Sequence, residues 1–465
     1  MAQHYVDRTL QLSVLNPPTA FRRELENHPF GDRVRIAPVP LVLSPEQNLQ
    51  IHEACDQWVR VLSCLFEDVV LGKQRVLRSQ AVLPQLVLDS IFAPTLSLHE
   101  LRKLWHGRSV ANLTFPLGPD IVLDKKGDLH LLELNVGNLG GIADMHHVPA
   151  RFLEAAKQHL QLKYPYETVR WNHLGPMFFI DPLCEAQSIN RPKTLMLAVA
   201  PELDSPAHKR EQELGVRGDL EEYRFSAALR REQIKLIEEP AEGSPPADSG
   251  TLVLNRWTSP GLREWWLRGT VSLLTPPGVE DFLGNKLLLA YLNRLIRFYL
   301  SETPKIAVPD AQVFEFTPSG ISQVTDGRSR LNPSFTSQSG LVIKSARGSS
   351  GEEVVIFPPG STVSHRDVIN AIPAFWDELV APNTGRLMLA QRFVDLGVLD
   401  NCKYDMRPFV YCIGSKLSTV ADLPHGRAMR IPEKWTRGER QKVKVNVAQG
   451  AHIMPVFQSA ITHSY

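Results

Sequence analysis

Hydrophobic and polar positions alternate with a period of two on both sides of Lys126-Gly127, through Leu117-Gly-Pro-Asp-Ile-Val-Leu123 and Leu129-His-Leu-Leu-Glu-Leu-Asn-Val136. The pattern predicts two strands joined by a tight turn. With Lys126-Gly127 as a two-residue turn, facing residue numbers sum to 253, so Asp120 lies opposite Glu133 and Asn135 follows on the same face. Leu129 and Leu131 fall on that face too, which argues for partial burial. Upstream, Ser44-Pro-Glu-Gln47 combines a capping hydroxyl, a first-turn proline and a capping-box glutamine, and predicts a helix running to about residue 71. Its apolar positions Leu49, Trp58, Leu62, Leu65 and Val69 have helical spacing and are expected in the core.

The same reading predicts a helix over 149–160 and strands over 194–199, 234–237 and 251–255, with an amphipathic segment at 218–231. This strand, helix, strand arrangement points to a small α/β domain over 185–278, with an exposed Pro/Ser/Gly-rich loop at 241–250. A long helix carrying Asn285 and Lys286 is expected over 279–300, and short β-like runs dominate from about 305. The divisions expected are therefore 1–184, 185–278 and 279–465, with no internal repeat.

Composition narrows the classes. A chain of 465 residues, 43% hydrophobic and 22% charged, belongs among globular proteins of more than one domain. The formal charge of +1 announces neither a nucleic acid nor an anionic membrane as partner, so any anion site must be local. Five cysteines without a Cys-x-x-Cys pair speak against a disulfide framework or a structural zinc site and fit a reducing cytoplasm. The amino terminus has no signal-peptide pattern, and no apolar run approaches the roughly 20 residues of a membrane span. A soluble, cytoplasmic protein is expected; oligomeric state is not legible.

Two carboxylates and an amide oxygen converging on one hairpin face suit a hard divalent cation, and Mg²⁺ held this way usually also binds substrate phosphates. An ordinary solvated hairpin face is the alternative. At 340–357 two apolar strands flank the loop Arg347-Gly-Ser-Ser-Gly351, with Lys344 ending the first strand. Glycines that admit close backbone approach, serine donors and two cations would make a lid over phosphates, against the alternative of a mobile surface hairpin. The Gly-x-x-x-x-Gly-Lys-Ser/Thr spacing of a P-loop and the Gly-x-Ser-x-Gly nucleophile elbow are both absent. Gln391, Asp405 and Arg407, Arg430, then Asn446 and Gly450 punctuate the later strand-like runs. Asp144-Met-His-His147 is expected to be structural or substrate-lining, its histidines on an irregular segment, and the basic run 437–444 to be a solvated hairpin.

Taken in order, a lysine on a helix, a lysine before a Gly/Ser loop, a strand with glutamine, Asp-x-Arg, then arginine followed by Asn-x-x-x-Gly resembles the nucleotide-binding half of ATP-grasp ligases. In most of these the acidic Asp and Glu-x-Asn segment closes the chain. Here it precedes Lys286, as in the circularly permuted branch that includes glutathionylspermidine synthetases. The resemblance spans roughly 105–455 and implies an α+β, circularly permuted ATP-grasp fold with an inserted α/β pre-ATP-grasp domain at 185–278.

It also implies roles. Asp120, Glu133 and Asn135 would hold Mg²⁺; Lys286 and Lys344 would contact ATP phosphates; Arg347, Gly348, Ser349, Ser350 and Gly351 would close over them; Gln391 would border the adenine. Arg430 would face the transferring phosphate, with Asn446 in the same region. Two departures stand out: Gly118 occupies the place of an arginine two residues before the metal aspartate, and the lid has fewer glycines than its relatives. The activity implied is ATP-dependent joining of a small-molecule carboxylate and an amine (amino acid, peptide or polyamine) through an acyl phosphate. An ATP-dependent small-molecule phosphotransferase and a nucleotide-binding protein without catalysis are the rival readings.

Overall fold

The computed structural model of the chain describes residues 5–6, 18–26, 35–72, 78–92, 96–137, 144–160, 177–187, 194–198, 233–238, 251–255, 259–317, 320–325, 328–331, 335–336, 340–346, 354–363, 386–421, 424–431, 444–445 and 451–459. Expectations placed on 218–231, 241–250, Arg347–Gly351, Asn446 and Gly450 lie outside the described residues.

The helix predicted from Ser44 spans Pro45–Phe66 and continues as a π-wound turn, Glu67–Leu71. Its capping box is complete: Gln47 N donates to the Ser44 hydroxyl and Ser44 N donates to Gln47 Oε1. Trp58, Leu62, Leu65 and Val69 are buried, but Leu49 is 61% exposed and Ile51 takes the core position near it. Leu49 stands off the stripe that faces the core, and hydrophobicity alone does not reveal this for a single residue. The helix Asp144–Leu160 starts before Pro149, so His146 and His147 belong to a helix, contrary to the irregular segment expected.

Two antiparallel sheets build the central part. One runs in the order Arg328–Leu331, Gly320–Thr325, Ala311–Thr317, Arg386–Arg392, Leu341–Ser345, Val354–Phe357. The other contains, side by side, Val410–Ile413, Thr114–Leu123, Cys402–Arg407, His425–Arg430 and His452–Met454, with Leu129–Val136 also paired to Thr114–Leu123. A separate parallel sheet, Lys235–Glu238, Thr194–Ala198, Thr251–Asn255 and Val271–Leu273, contains the three strands read at 194–255. Its faces pack differently, as strand alternation demands: Met196 and Val253 join the central core, whereas Leu195 and Leu252 pack with Phe179, Phe409 and Tyr411. Among the described residues no helix is long and apolar enough to cross a membrane.

The hairpin departs from its expected geometry twice, and the departures cancel. Asp124 to Asp128 form a longer turn in which Asp124 Oδ1 accepts from the backbone N–H of Lys126 and of Asp128, with Gly127 at φ 89°. This shifts the pairing to Leu123 with Leu129 and Ile121 with Leu131. A bulge between Asp120 and Ile121, opposite the extra residue Leu132, shifts it back, so Asp120 faces Glu133 and Gly118 faces Asn135. The bulge also reverses the faces beyond it. Leu129 and Leu131 enter the core, opposite to the expectation that they share the acidic face.

The helix expected over 279–300 is broken. Val279–Leu283 ends at Gly284, Asn285 is extended and accepts the Leu287 N–H, Lys286–Leu288 is a 3₁₀ turn, and Leu289–Leu300 resumes the α-helix. The Asn285 side chain caps a new start at this point, which halts the winding and turns Lys286 toward the hairpin.

Candidate active site

The faces of the two antiparallel sheets flank a cleft of about 190 Å³ that is partly open to solvent. Asp120, Glu133 and Asn135 line it from the hairpin; Lys344 and Gln391 line it from the other sheet; Lys286 enters from the 3₁₀ turn. Among the described residues, seven lysines and arginines line the cleft (Lys286, Lys344, Arg392, Lys403, Arg407, Arg427 and Lys444) against three carboxylates, Asp120, Glu133 and Asp405. A chain of net charge +1 thus concentrates cations where an anion of several charges could enter.

Three neighbouring strands place a buried ionic network on the cleft face. Arg407 clasps Asp120 through two hydrogen bonds, Nε to Oδ1 at 2.7 Å and Nη2 to Oδ2 at 3.0 Å. Arg427 donates from Nε and Nη2 to the two oxygens of Asp405 at 2.7 and 2.8 Å, and its Nη2 is also 2.9 Å from Asp120 Oδ1. Burial opposes ionisation of Asp120, but Arg407 and Arg427 together outweigh it and hold the carboxyl well below the usual range. Burial pushes the Asp405 carboxyl up, against the pull of the Arg427 fork on both its oxygens. His425, the Cα partner of Arg407, is held neutral by burial and by both guanidiniums, its pKa lowered to about 3.

The bulge gives the facing sheet its attachment. Lys344 Nζ donates to the Leu132 carbonyl at 2.7 Å, and Gln391 Nε2 donates to the neighbouring Leu131 carbonyl at 3.4 Å. Lys286 Nζ lies 3.3 Å from Glu133 Oε1, and its backbone N–H donates to Ala346 O, just after the Lys344 strand. Lys344 is 5% exposed, and burial lowers its pKa to about 8, with Glu133 opposing the shift. Lys403, on the same strand face as Asp405 and Arg407, is likewise lowered to about 8 by burial and sits 5.8 Å above the Phe393 ring.

The hairpin's donor set fits a divalent cation of the Mg²⁺ kind. Asn135 Nδ2 donates to Gly118 O at 2.9 Å, which fixes the amide and leaves Oδ1 as the atom that could meet a metal. Asp120 already accepts three N–H groups out of about four lone-pair sites, so it retains room for one further contact. Glu133 completes a set of two carboxylates and an amide oxygen, the few protein ligands that Mg²⁺ takes when phosphates and water supply the rest.

Of the residues expected from sequence, Asp120, Glu133, Asn135, Lys286, Lys344 and Gln391 converge on this cleft. Arg430 does not. It is exposed at the end of its strand opposite Cys402, and it is Arg427, three residues earlier and therefore on the other face, that lines the cleft. Lys444, expected on a solvated hairpin, lines the cleft as well. Sequence reasoning also missed Lys403. The signal was present in Lys403-Tyr-Asp-Met-Arg407, where charge at alternate positions of an otherwise buried strand marks a polar face turned to a cavity.

Residues 255–422 match the family described as circularly permuted ATP-grasp type 2. No curated protein matches the sequence. Among solved structures the chain is similar to a glutathione synthetase-like effector from Globodera pallida, at 11% identity and a TM-score of 0.48, covering 91% of this chain and 90% of that one. It is also similar to a putative γ-glutamylcysteine synthetase from Methylobacillus flagellatus, at 12% identity and a TM-score of 0.33, covering 84% and 88%.

Proposed function

We propose that this chain, whose residues 255–422 carry the circularly permuted ATP-grasp type 2 match, is an ATP-dependent carboxylate–amine ligase. It would form an amide or peptide bond through an acyl phosphate and release ADP and phosphate. The observation that carries this reading is the cleft itself, in which Asp120, Glu133 and Asn135 on one sheet face Lys344 and Gln391 on the other, with Lys286 bridging to Glu133.

Phosphoryl transfer asks a protein mainly for positioning and charge neutralisation. Lys344 and Lys286, tethered at the bulge and at Glu133, would take the phosphates of ATP; Gln391 is buried beside Leu131, next to the apolar Val342 and Ile356 that would border the base. Arg427 and Arg407 are the guanidiniums available to charge developing on a substrate carboxylate as it becomes an acyl phosphate. Bound Mg²⁺ would neutralise phosphate oxygens, held by Glu133, Asn135 and the remaining site on Asp120. Amino acids, peptides and polyamines are the substrate classes in keeping with this chemistry.

Purified protein with Mg-ATP, pooled carboxylates and pooled amines should release ADP and yield a product heavier by the condensed pair. Hydroxylamine should trap a hydroxamate that requires both ATP and the carboxylate. Phosphorylation of a hydroxyl group without a hydroxamate would instead identify a phosphotransferase. A second reading, nucleotide binding without catalysis, draws on the two arginines that already engage both oxygens of Asp120 and on Gly118 in the hairpin. It predicts ATP binding with no ADP release in any mixture.

A further inference from the structure

The buried network holds a residue that the proposed chemistry leaves without a task. Asp405 sits in the middle of three adjacent strands: its Cα partner Arg427 is on one side, and the strand of Asp120 lies on the other, through the pairing of Met406 with Ile121. Both Asp405 oxygens take the Arg427 fork, yet Arg427 Nη2 is shared with Asp120 Oδ1 at nearly the same distance, 2.8 Å against 2.9 Å. Two carboxylates therefore share one guanidinium, Asp405 taking its fork and Asp120 facing the second N–H of Nη2, while Arg407 independently clasps Asp120.

A guanidinium binds a carboxylate best as a fork, with two parallel N–H···O bonds. Arg427 spends its fork on Asp405 and offers Asp120 only the shared Nη2. If Asp405 lost its charge, the fork would turn to Asp120, whose last accepting site would then be filled, and the network would carry an uncompensated positive charge beside the place a cation must occupy.

We propose that Asp405 is a positioning residue that limits the Arg427 guanidinium to a single contact with Asp120 and so keeps an Asp120 accepting site open to a divalent cation. This rests on the reading of the hairpin as a metal–nucleotide site, and the experiment separates the two. Mn²⁺ binding to the full-length chain is followed by electron paramagnetic resonance in the presence of a non-hydrolysable ATP analogue, so no turnover is needed.

The wild-type chain should bind Mn²⁺ with the analogue; if it does not, the metal–nucleotide reading fails and this inference falls with it. Asp405→Asn should weaken Mn²⁺ binding about tenfold, the scale expected when one nearby charge of a compensated network is removed. Asp405→Asn with Arg427→Gln, which removes the competitor as well, should return to within about twofold of wild type. Wild-type Mn²⁺ affinity in the single variant, or weakened affinity that persists in the double variant, overturns the inference; a residue of purely structural role would lower the melting temperature and leave Mn²⁺ affinity alone. Should Asp405→Asn fail to fold, Asp405→Ser serves in its place: it likewise removes the charge that engages the Arg427 fork and should weaken Mn²⁺ about tenfold, and unchanged binding would be the contrary result.

Discussion

Replacing Lys344 with methionine should alter stability and nucleotide binding in opposite directions as pH rises. In the folded chain burial lowers the lysine's pKa from 10.5 to about 8, so between those two values the unfolded chain holds a proton that the folded chain has released. Stability therefore rises with pH across that window, the penalty for a buried ammonium being full below about 8 and gone above 10.5. A difference of this size corresponds to roughly 3 kcal/mol. Nucleotide binding runs the other way, because the ammonium that would meet the phosphates is lost as pH passes about 8, and affinity should then fall by up to about tenfold per pH unit. Lys403 titrates in the same range with the same sign, so only the comparison of wild type with Lys344→Met isolates the one group. Urea unfolding at intervals from pH 7 to 10.5 measures the first effect, and calorimetric titration with a non-hydrolysable ATP analogue between pH 7 and 9.5 measures the second. Stability curves that stay parallel within about 0.5 kcal/mol, about the scatter expected for a substitution without a named mechanism, would refute the reasoning.

Other perturbations test the rest of the cleft and its support. Glu133→Gln keeps shape but removes the charge that faces Lys286, and turnover should fall about 10² to 10³-fold with the circular dichroism spectrum unchanged. Arg427→Gln should lower kcat by a similar factor of about 10² or more, whereas Arg430→Gln, on the exposed face of the same strand, should stay within about twofold of wild type; the reverse ranking in a steady-state assay would return the role to Arg430. Ser44→Ala removes the hydroxyl from a reciprocal cap and should cost about 1 kcal/mol, read as faster hydrogen exchange at the amides of Gln47 and Asn48.

Local physics made much of this protein legible in its sequence. The capping box at Ser44 is decided by residues three apart, and the alternation around Gly127 marks two strands whatever they pair with. The facing of Asp120 and Glu133 emerged correctly although the turn and the bulge each moved the register by one residue; only the bulge's effect on Leu129 and Leu131 betrays the difference. The break before Lys286 was readable in Gly284-Asn285, but helical periodicity on both sides concealed it. Which of Arg427 and Arg430 faces the cleft depends on strand parity, and parity is fixed by pairing with Cys402–Arg407 rather than by the arginines' own neighbours.

By itself the sequence determined the paired strands around Gly127, the helix from Ser44 and which segments carry lysine, arginine, carboxylate and amide, because caps, turns and periodicity act within a few residues. The tertiary structure alone decided that Thr114–Leu123, Cys402–Arg407 and His425–Arg430 lie side by side, so that acids and arginines some 300 positions apart share hydrogen bonds over one cleft. Sheet order across such distances is chosen by the joint burial of many apolar faces, and no short stretch of chain contains that sum.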